Sequence, residues 1–164
     1  MLTAPEPLTA AHVIADFDSG VPSLDEWLRR RALQNQTSGA SRTFVTCTDG
    51  KVVGYYALAS SAVILAAAPG RFRRNMPDPI PVVVLARLAI NRNEVGRGLG
   101  RALFQDAAKR VVHAAEAIGI RGLIVHALSE DAKAFYIALG LDESPLDPMM
   151  LMTTVNDLKA VLQS

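Results

Sequence analysis

A mixed α/β fold is predicted by three features of the sequence. Strand-like and helix-like segments alternate along the chain. Asp49-Gly50 joins two runs rich in β-branched and aromatic residues, a strong hairpin signal. A glycine-rich turn, Gly96-Arg97-Gly98-Leu99-Gly100, separates an apolar strand-like run from a long amphipathic segment. The chain has 164 residues, enough for one domain with its own core, and residues 1–164 are expected to form that single domain. Half of the residues are hydrophobic and 20% are charged, which excludes a disordered chain.

Taken in order, His12 to Phe17 reads as a first strand. Ser23-Leu24-Asp25-Glu26 has the spacing of a capping box, predicting a helix from Leu24 to about Gln36 with Leu24, Trp27, Leu28 and Ala32 on its buried stripe. Ser38-Gly39 ends that helix. Arg42 to Thr48 and Lys51 to about Leu58 form the hairpin, with a further strand reaching Ala67. Ala68 to Pro81, with four prolines and three arginines, reads as a loop. Val82 to Ile90 is a strand whose apolar run only Arg87 interrupts. Asn91 to Arg97 is a loop, and Gly98 to Ala117 a helix with Leu99, Ala102, Leu103, Ala107, Val111, Ala114 and Ile118 at helical spacing. Arg121 to Ala127 is a strand. Ser129 caps a short helix whose first turn carries Glu130 and Asp131, and Gly140 stops it. Met149 to Thr154 is a last strand with a short helix behind it.

The charge-free stretch Val52 to Gly70 is as long as the shortest membrane spans. Its glycine, tyrosines and serines, and its start directly after the hairpin turn, favour buried strands instead. No basic-then-apolar segment marks the start of the chain, and the single cysteine, Cys47, fits a reducing compartment. A cytoplasmic protein without a membrane anchor is therefore expected. Cys47 reads as a small buried residue, and His12, His113 and His126 are not spaced as metal ligands, so no metal is expected.

The net charge of +1 conceals an asymmetry: from Arg71 to Arg101 seven arginines face only Asp78 and Glu94, so this segment is +5 and the remainder −4. Arginine matches phosphate with a planar fork of donors. Arg29-Arg30-Arg31 is less focused, because consecutive helical residues fan out by about 100°. The glycine turn suits a diphosphate, since glycines admit close backbone approach and the helix start offers unpaired N–H groups with partial positive charge. A plain strand-to-helix turn is the competing reading. The spacing G-x-G-x-G, far into the chain, fits neither the dinucleotide fingerprint nor the nucleoside-triphosphate loop. A ligand with a pantetheine arm fits better: the strand before the loop can pair with the arm's amides while the helix start holds the diphosphate.

Leu88-Ala89-Ile90, the run Gly96-Arg97-Gly98-Leu99-Gly100-Arg101-Ala102-Leu103, and Ala134-Phe135-Tyr136 before Gly140 resemble the GNAT acetyltransferases, with Val95 where their diphosphate loop usually opens with Gln or Arg. Narrower similarities point to the TacT/AtaT-type acetyltransferase toxins. They lie in Phe17-Asp18-Ser19-Gly20 with Trp27-Leu28, Gly54-Tyr55-Tyr56-Ala57-Leu58, Arg74-Asn75-Met76-Pro77, Arg87-Leu88-Ala89 and Val125-His126-Ala127-Leu128. Together they cover about residues 12 to 150. The resemblance implies a single mixed, mostly antiparallel sheet flanked by helices. It implies acetyl-CoA as co-substrate, held by Leu88, Ala89, Ile90, Val95, Gly96, Arg97, Gly98, Leu99, Gly100, Arg101 and Phe135. It implies acetylation of the α-amine of aminoacyl-tRNA, which blocks translation, a homodimer, and a ribbon-helix-helix antitoxin as partner.

The chemistry accords with such an acceptor. An α-amine has a pKa of about 7.7–8.0, so a useful fraction is neutral near pH 7, whereas a lysine near 10.4 needs a strong base, and none is evident. By family resemblance Tyr136 is the acid that protonates the leaving thiolate, with a backbone N–H near Ala89 for the oxyanion; from residues alone it reads first as core beside Phe135 and Leu139. Arg71, Arg73, Arg74, Arg87 and Arg92 are expected to bind the tRNA acceptor end. Two other readings stand beside this one: a GNAT enzyme for a small amine or protein N-terminus, and a non-catalytic RNA-binding module.

Overall fold

The computed structural model describes residues 1–163. Seven strands form one mixed sheet in the order β1-β2-β3-β4-β5-β7-β6. The strands are β1 (Glu6–Pro7), β2 (Arg42–Thr48), β3 (Lys51–Val63), β4 (Ile80–Ile90), β5 (Gly122–His126), β6 (Asp142–Glu143) and β7 (Met150–Thr154). The helices are α1 (Pro22–Trp27), α2 (Leu33–Ser38), α3 (Gly70–Arg73), α4 (Leu99–Ala114), α5 (Glu130–Ala138) and α6 (Val155–Gln163). The α/β reading of the sequence holds. The chain divides into two compact units: Met1–Ala59 with Ala86–Ala107, and Ser60–Leu85 with everything from Ala108 onward.

In the first unit β2 and β3 are antiparallel, and Asp49 and Gly50 both adopt positive φ, as the hairpin signal requires. Side chains alternate along β3. Tyr55 turns to one face, where its hydroxyl donates to the Leu24 carbonyl at 2.7 Å. Tyr56 turns to the other and donates to the Asp106 carboxylate of α4. Gly54 lies on that second face, where a Cβ would stand 3.1 Å from a methyl of Leu103, so its absence lets α4 lie close. The core under α1 gathers Leu8, Phe17, Leu24, Leu28, Ala32, Val45, Tyr55 and Ala89.

Several local expectations are corrected. His12–Phe17 is a series of turns with one isolated bridge, Val13 to Lys51; the first strand is β1. The Ser23 capping box does not form. Pro22 occupies the first helical turn, which starts the helix before Ser23, and Val21 is the N-cap with no side-chain bond. A π-helical turn, Leu28–Ala32, joins α1 to α2, and Gly39 closes α2 at φ 84°. β3 stops at Val63, before Ala67, and the proline-rich loop contains α3. The helix α4 ends at Ala114, so Ile118 leaves the buried stripe and is 62% exposed. No helix among the described residues is long and apolar enough to cross a membrane, and most of the charge-free stretch is β3.

In the second unit β4 runs parallel to β5, pairing Val82 through Leu85 with Gly122 through Val125, and β5 runs antiparallel to β7. The ladder with β5 stops at Leu85, although β4 itself continues to Ile90. Arg121 fastens α3: its Nε donates to the Phe72 carbonyl at 2.7 Å and Nη2 to that of Arg71 at 2.8 Å. Phe72 is thereby pressed over Gly122, where a Cβ would meet the Thr153 carbonyl oxygen at 2.0 Å and Phe72 Cε2 at 2.7 Å. Ser129 caps α5 as expected, accepting from the Ala132 N–H at 3.1 Å.

The contact at Gly122 is with backbone, which cannot swing aside. Gly122→Ala should destabilise the protein by about 2 kcal/mol or more. The measurement is the midpoint of urea unfolding, which should drop at unchanged slope.

Candidate active site

The glycine turn ends β4 and opens α4. Asn91 donates its backbone N–H to Val53 at 2.8 Å, a short 3-10 turn covers Arg92–Glu94, and Val95 is extended and 65% exposed. Gly96 and Gly98 have φ of 88° and 78°, which explains glycine at both, and a Cβ at either would point into open space. The Ala102 amide bonds back to Gly98 at 3.1 Å, so the amides of Leu99, Gly100 and Arg101 belong to the first turn, which lacks intrahelical partners. Leu99 is buried under Gly54, so only its backbone is available to a ligand. Arg97 pairs with Glu94 at 3.4 Å, and Arg101 is exposed. On β4, Ala89 is buried while Leu88 and Ile90 are half-buried. Ala86–Ile90, beyond the β5 ladder, offer a strand edge to a ligand's amides.

This turn is braced from the segment preceding α1. Asp18 accepts from Arg92 Nε at 3.1 Å and from the Gly20 N–H at 3.0 Å. Its own amide donates to Asn91 Oδ1 at 2.8 Å, and its carbonyl accepts from the Arg92 N–H at 2.9 Å. The Arg92 guanidinium, helped by the Gly20 amide, holds the Asp18 carboxyl below its ordinary pKa. Next to it, buried Asp25 accepts from the Ser19 N–H at 3.0 Å and from the Ser19 hydroxyl at 2.6 Å. Arg29, itself exposed, donates Nη1 to the Phe17 carbonyl at 3.0 Å, the one such bond among the three consecutive arginines within the described residues.

In the second unit Tyr136 sits in α5 with 7% exposure, edge-on to half-buried Phe135 with ring centroids 5.1 Å apart. Burial pushes its phenol well above the ordinary tyrosine value, so it stays protonated across the neutral range.

The five arginines assigned to tRNA are not one uniform patch. Arg71 pairs with Asp157, and Arg92 with Asp18, both acids from outside the arginine-rich segment, so its +5 is partly offset in the fold. Arg73 and Arg74 are exposed at the end of α3. Arg87 is half-buried, its guanidinium carbon 4.4 Å from the centre of the Trp27 ring. The sequence marks Asp18 and Trp27 through the family resemblance, and Trp27 also as core, but gives no sign that Asp18, Asp25 and Arg29 together build this loop. Pro22 was the available signal: a helix starting there leaves Asp25 inside the first turn and free to bind the preceding loop.

His113 and His126 are exposed. His12, Glu6 and Cys47 do converge, with potential ligand atoms within 4.8 Å of one another. Both ring nitrogens of His12 are committed, Nδ1 to the Thr9 N–H at 3.0 Å and Nε2 to Glu6 at 2.8 Å. Burial, and then Glu6, push the Cys47 thiol upward, so it is held as a thiol and not as the thiolate a metal requires. His12 thus ties Glu6 and Thr9 into a local hydrogen-bonded turn, with the Cys47 thiol beside it.

The acetyltransferase (GNAT) family matches residues 9–141. The chain is 53% identical over 160 residues to a tRNA-acetylating toxin of Mycobacterium tuberculosis, covering 98% of this chain and 96% of that one. It superposes on AtaT complexed with acetyl-methionyl-tRNAfMet with a TM-score of 0.91 and 31% identity, covering 98% and 99% of the two chains. It also superposes on a tyrosine-to-phenylalanine mutant of AtaT bound to the C-terminus of the antitoxin AtaR and acetyl-CoA, with a TM-score of 0.85 and 29% identity, covering 100% and 99%.

Asp25→Ala would leave the Ser19 N–H without its acceptor and the Ser19 hydroxyl with only the Val21 carbonyl at 3.4 Å, at a cost of about 2 kcal/mol. Thermal unfolding should show the loss, and amide exchange should show faster opening at Ser19 and Gly20 than in the wild type.

Proposed function

The chain belongs to the acetyltransferase (GNAT) family, and we propose that it is a toxin that acetylates the α-amine of aminoacyl-tRNA from acetyl-CoA, in the cytoplasm, and so blocks translation. The observation that carries this reading is the 53% identity, over nearly the full length of both chains, to a tRNA-acetylating toxin. The whole chain acts as one GNAT domain.

The glycine turn supplies the coenzyme site. Its geometry supports that role: the first-turn amides of α4 carry the partial positive charge that holds a diphosphate, and Gly96 and Gly98 put no side chain in the way. With Val95 in place of Gln or Arg, the backbone does this work alone. The arm of the coenzyme pairs with Leu88, Ala89 and Ile90, and the Ala89 N–H stabilises the oxyanion formed when the amine attacks the thioester carbonyl. Phe135 completes the coenzyme contacts. Collapse of that intermediate breaks the C–S bond, and Tyr136 donates its proton to the departing sulfur. The acceptor amine loses its own proton to solvent. Arg71, Arg73, Arg74, Arg87 and Arg92 receive the acceptor end of the tRNA. An antitoxin partner is supported by the likeness to AtaT bound to the C-terminus of the antitoxin AtaR; we infer that it is of the ribbon-helix-helix class and that the chain pairs with a second copy of itself.

The decisive assay offers labelled acetyl-CoA with charged tRNA, uncharged tRNA, small amines and a peptide N-terminus. Transfer that requires the charged tRNA supports the reading; transfer only to the small amine or peptide replaces it; binding of RNA without any transfer leaves the module reading.

Tyr136→Phe should lower kcat at least about a hundredfold with acetyl-CoA affinity nearly unchanged, because the hydroxyl acts only as the thiolate leaves. The sign of the pH dependence follows from burial. The phenol works in its protonated form, and its raised pKa keeps it protonated to higher pH. Turnover should therefore rise as the acceptor amine becomes neutral and show no descending limb below about pH 10. A fall between pH 8 and 9.5 would assign the proton to another group.

Arg73 and Arg74 are exposed and, among the described residues, pair with no acid, so their charge is open to a polyanion. Replacing both by alanine should raise KM for charged tRNA and flatten its salt dependence by about one unit of slope per lost contact, with KM for acetyl-CoA fixed. Steady-state kinetics over a range of salt concentrations test it.

A further inference from the structure

We propose that Arg87, held against Trp27, recognises one phosphate at the 3′ end of the tRNA acceptor strand by a fixed bidentate contact, and that Trp27 is the positioning residue that fixes it. This rests on the aminoacyl-tRNA reading and goes beyond it. Among the five arginines, Arg87 supplies geometry where the others supply charge.

Arg87 caps a column of stacked side chains. Its guanidinium carbon lies 4.4 Å from the centre of the Trp27 ring. Trp27 in turn stacks on Tyr55 at 6.0 Å and 11°. Tyr55 is fully buried, is anchored by its hydroxyl to the Leu24 carbonyl at 2.7 Å, and is met edge-on by Phe17 at 5.6 Å. An ordinary surface arginine samples many rotamers and loses that freedom on binding. Here the column has already removed it.

The column holds Arg87 without using its hydrogen-bond donors, since contact with a ring face spends none of them. Among the described residues no carboxylate or carbonyl accepts from Arg87. Other nearby arginines are engaged: Arg29 on the Phe17 carbonyl, Arg92 on Asp18, Arg97 on Glu94. A half-buried guanidinium with an unspent fork of donors matches a phosphate's oxygens two at a time.

Its position suits the reaction. Arg87 and Ala89 are two residues apart on β4, hence on one face of the strand and about 7 Å apart along it. A phosphate seated on Arg87 therefore lies only two residues along β4 from the residue whose backbone N–H is assigned to the oxyanion, which limits how far the terminal nucleotide can shift along the strand. An acidic peptide would need the same fork, and the test below separates the two.

The test is acetyl transfer by Arg87→Lys, which keeps the charge and loses the planar fork. With charged tRNA, kcat/KM should fall about ten- to a hundredfold. The salt slope, the KM for acetyl-CoA and the melting temperature should hold at wild-type values. With aminoacyl-adenosine, which carries the ester but no phosphodiester, Arg87→Lys and the wild type should be equal. Trp27→Phe, which keeps an aromatic face, should give a smaller loss confined to charged tRNA. Equal activity of Arg87→Lys and wild type on charged tRNA overturns the proposal. So does a penalty that persists on aminoacyl-adenosine, or a joint loss of melting temperature and coenzyme affinity, which would make the stack merely structural. Wild-type protein that ignores charged tRNA and acetylates an acidic peptide overturns the tRNA reading itself, a result distinct from all of these.

Discussion

Two adjacent tyrosines on one strand govern how the first unit is built. Because side chains alternate across a strand, Tyr55 and Tyr56 must face opposite ways. Tyr55 fastens α1 by bonding the Leu24 carbonyl, and Tyr56 fastens α4 through Asp106. A one-residue slip of β3 would exchange the two faces and undo both attachments. The start of α4, with its glycine turn, and the loop before α1, with its acidic and basic groups, are therefore both referred to the same few residues of β3. The hairpin at Asp49-Gly50 secures that register from one end.

Features that depend on a few neighbouring residues were legible in the sequence. The hairpin, the Gly39 stop, the Ser129 cap and the glycine turn before α4 were all read correctly, since each is a local backbone requirement. The order of elements and the α/β class followed from them. Errors arose where two local signals compete. Ser23-x-x-Glu26 satisfies the capping pattern, yet Pro22 is better suited to the helix start and displaces it. His12–Phe17 has the apolar spacing of a strand, but its backbone bonds locally, as in His12 to Thr9 and Phe17 to Ile14. Ile118 keeps the helical period after the helix has already ended.

Charge was the least legible property. A run of arginines in sequence is a cluster only if no acid from elsewhere folds against it. Asp18 and Asp157 do fold against Arg92 and Arg71, and nothing local to either arginine announces this. Trp27 posed a similar difficulty. Its helical position marked it as core, and it does pack on the core; that its outer face carries Arg87 depends on β4, sixty residues along the chain. The candidate acid, Tyr136, was found by likeness of motif, and burial lifts its phenol further above the ordinary tyrosine value.

The brace at Asp18 has a thermodynamic consequence. Three hydrogen bonds join the loop before α1 to the loop before α4, through Asp18, Asn91 and Arg92, and a fourth, from the Gly20 N–H to the Asp18 carboxylate, holds the first loop to itself. Loops that carry binding groups usually surrender conformational freedom when a ligand arrives, and that loss is subtracted from affinity. Here the ordering is completed as the protein folds, so the free energy of contact with a ligand is retained as affinity. The same cross-linking binds the two loops into one mechanical body, which neither can leave by itself.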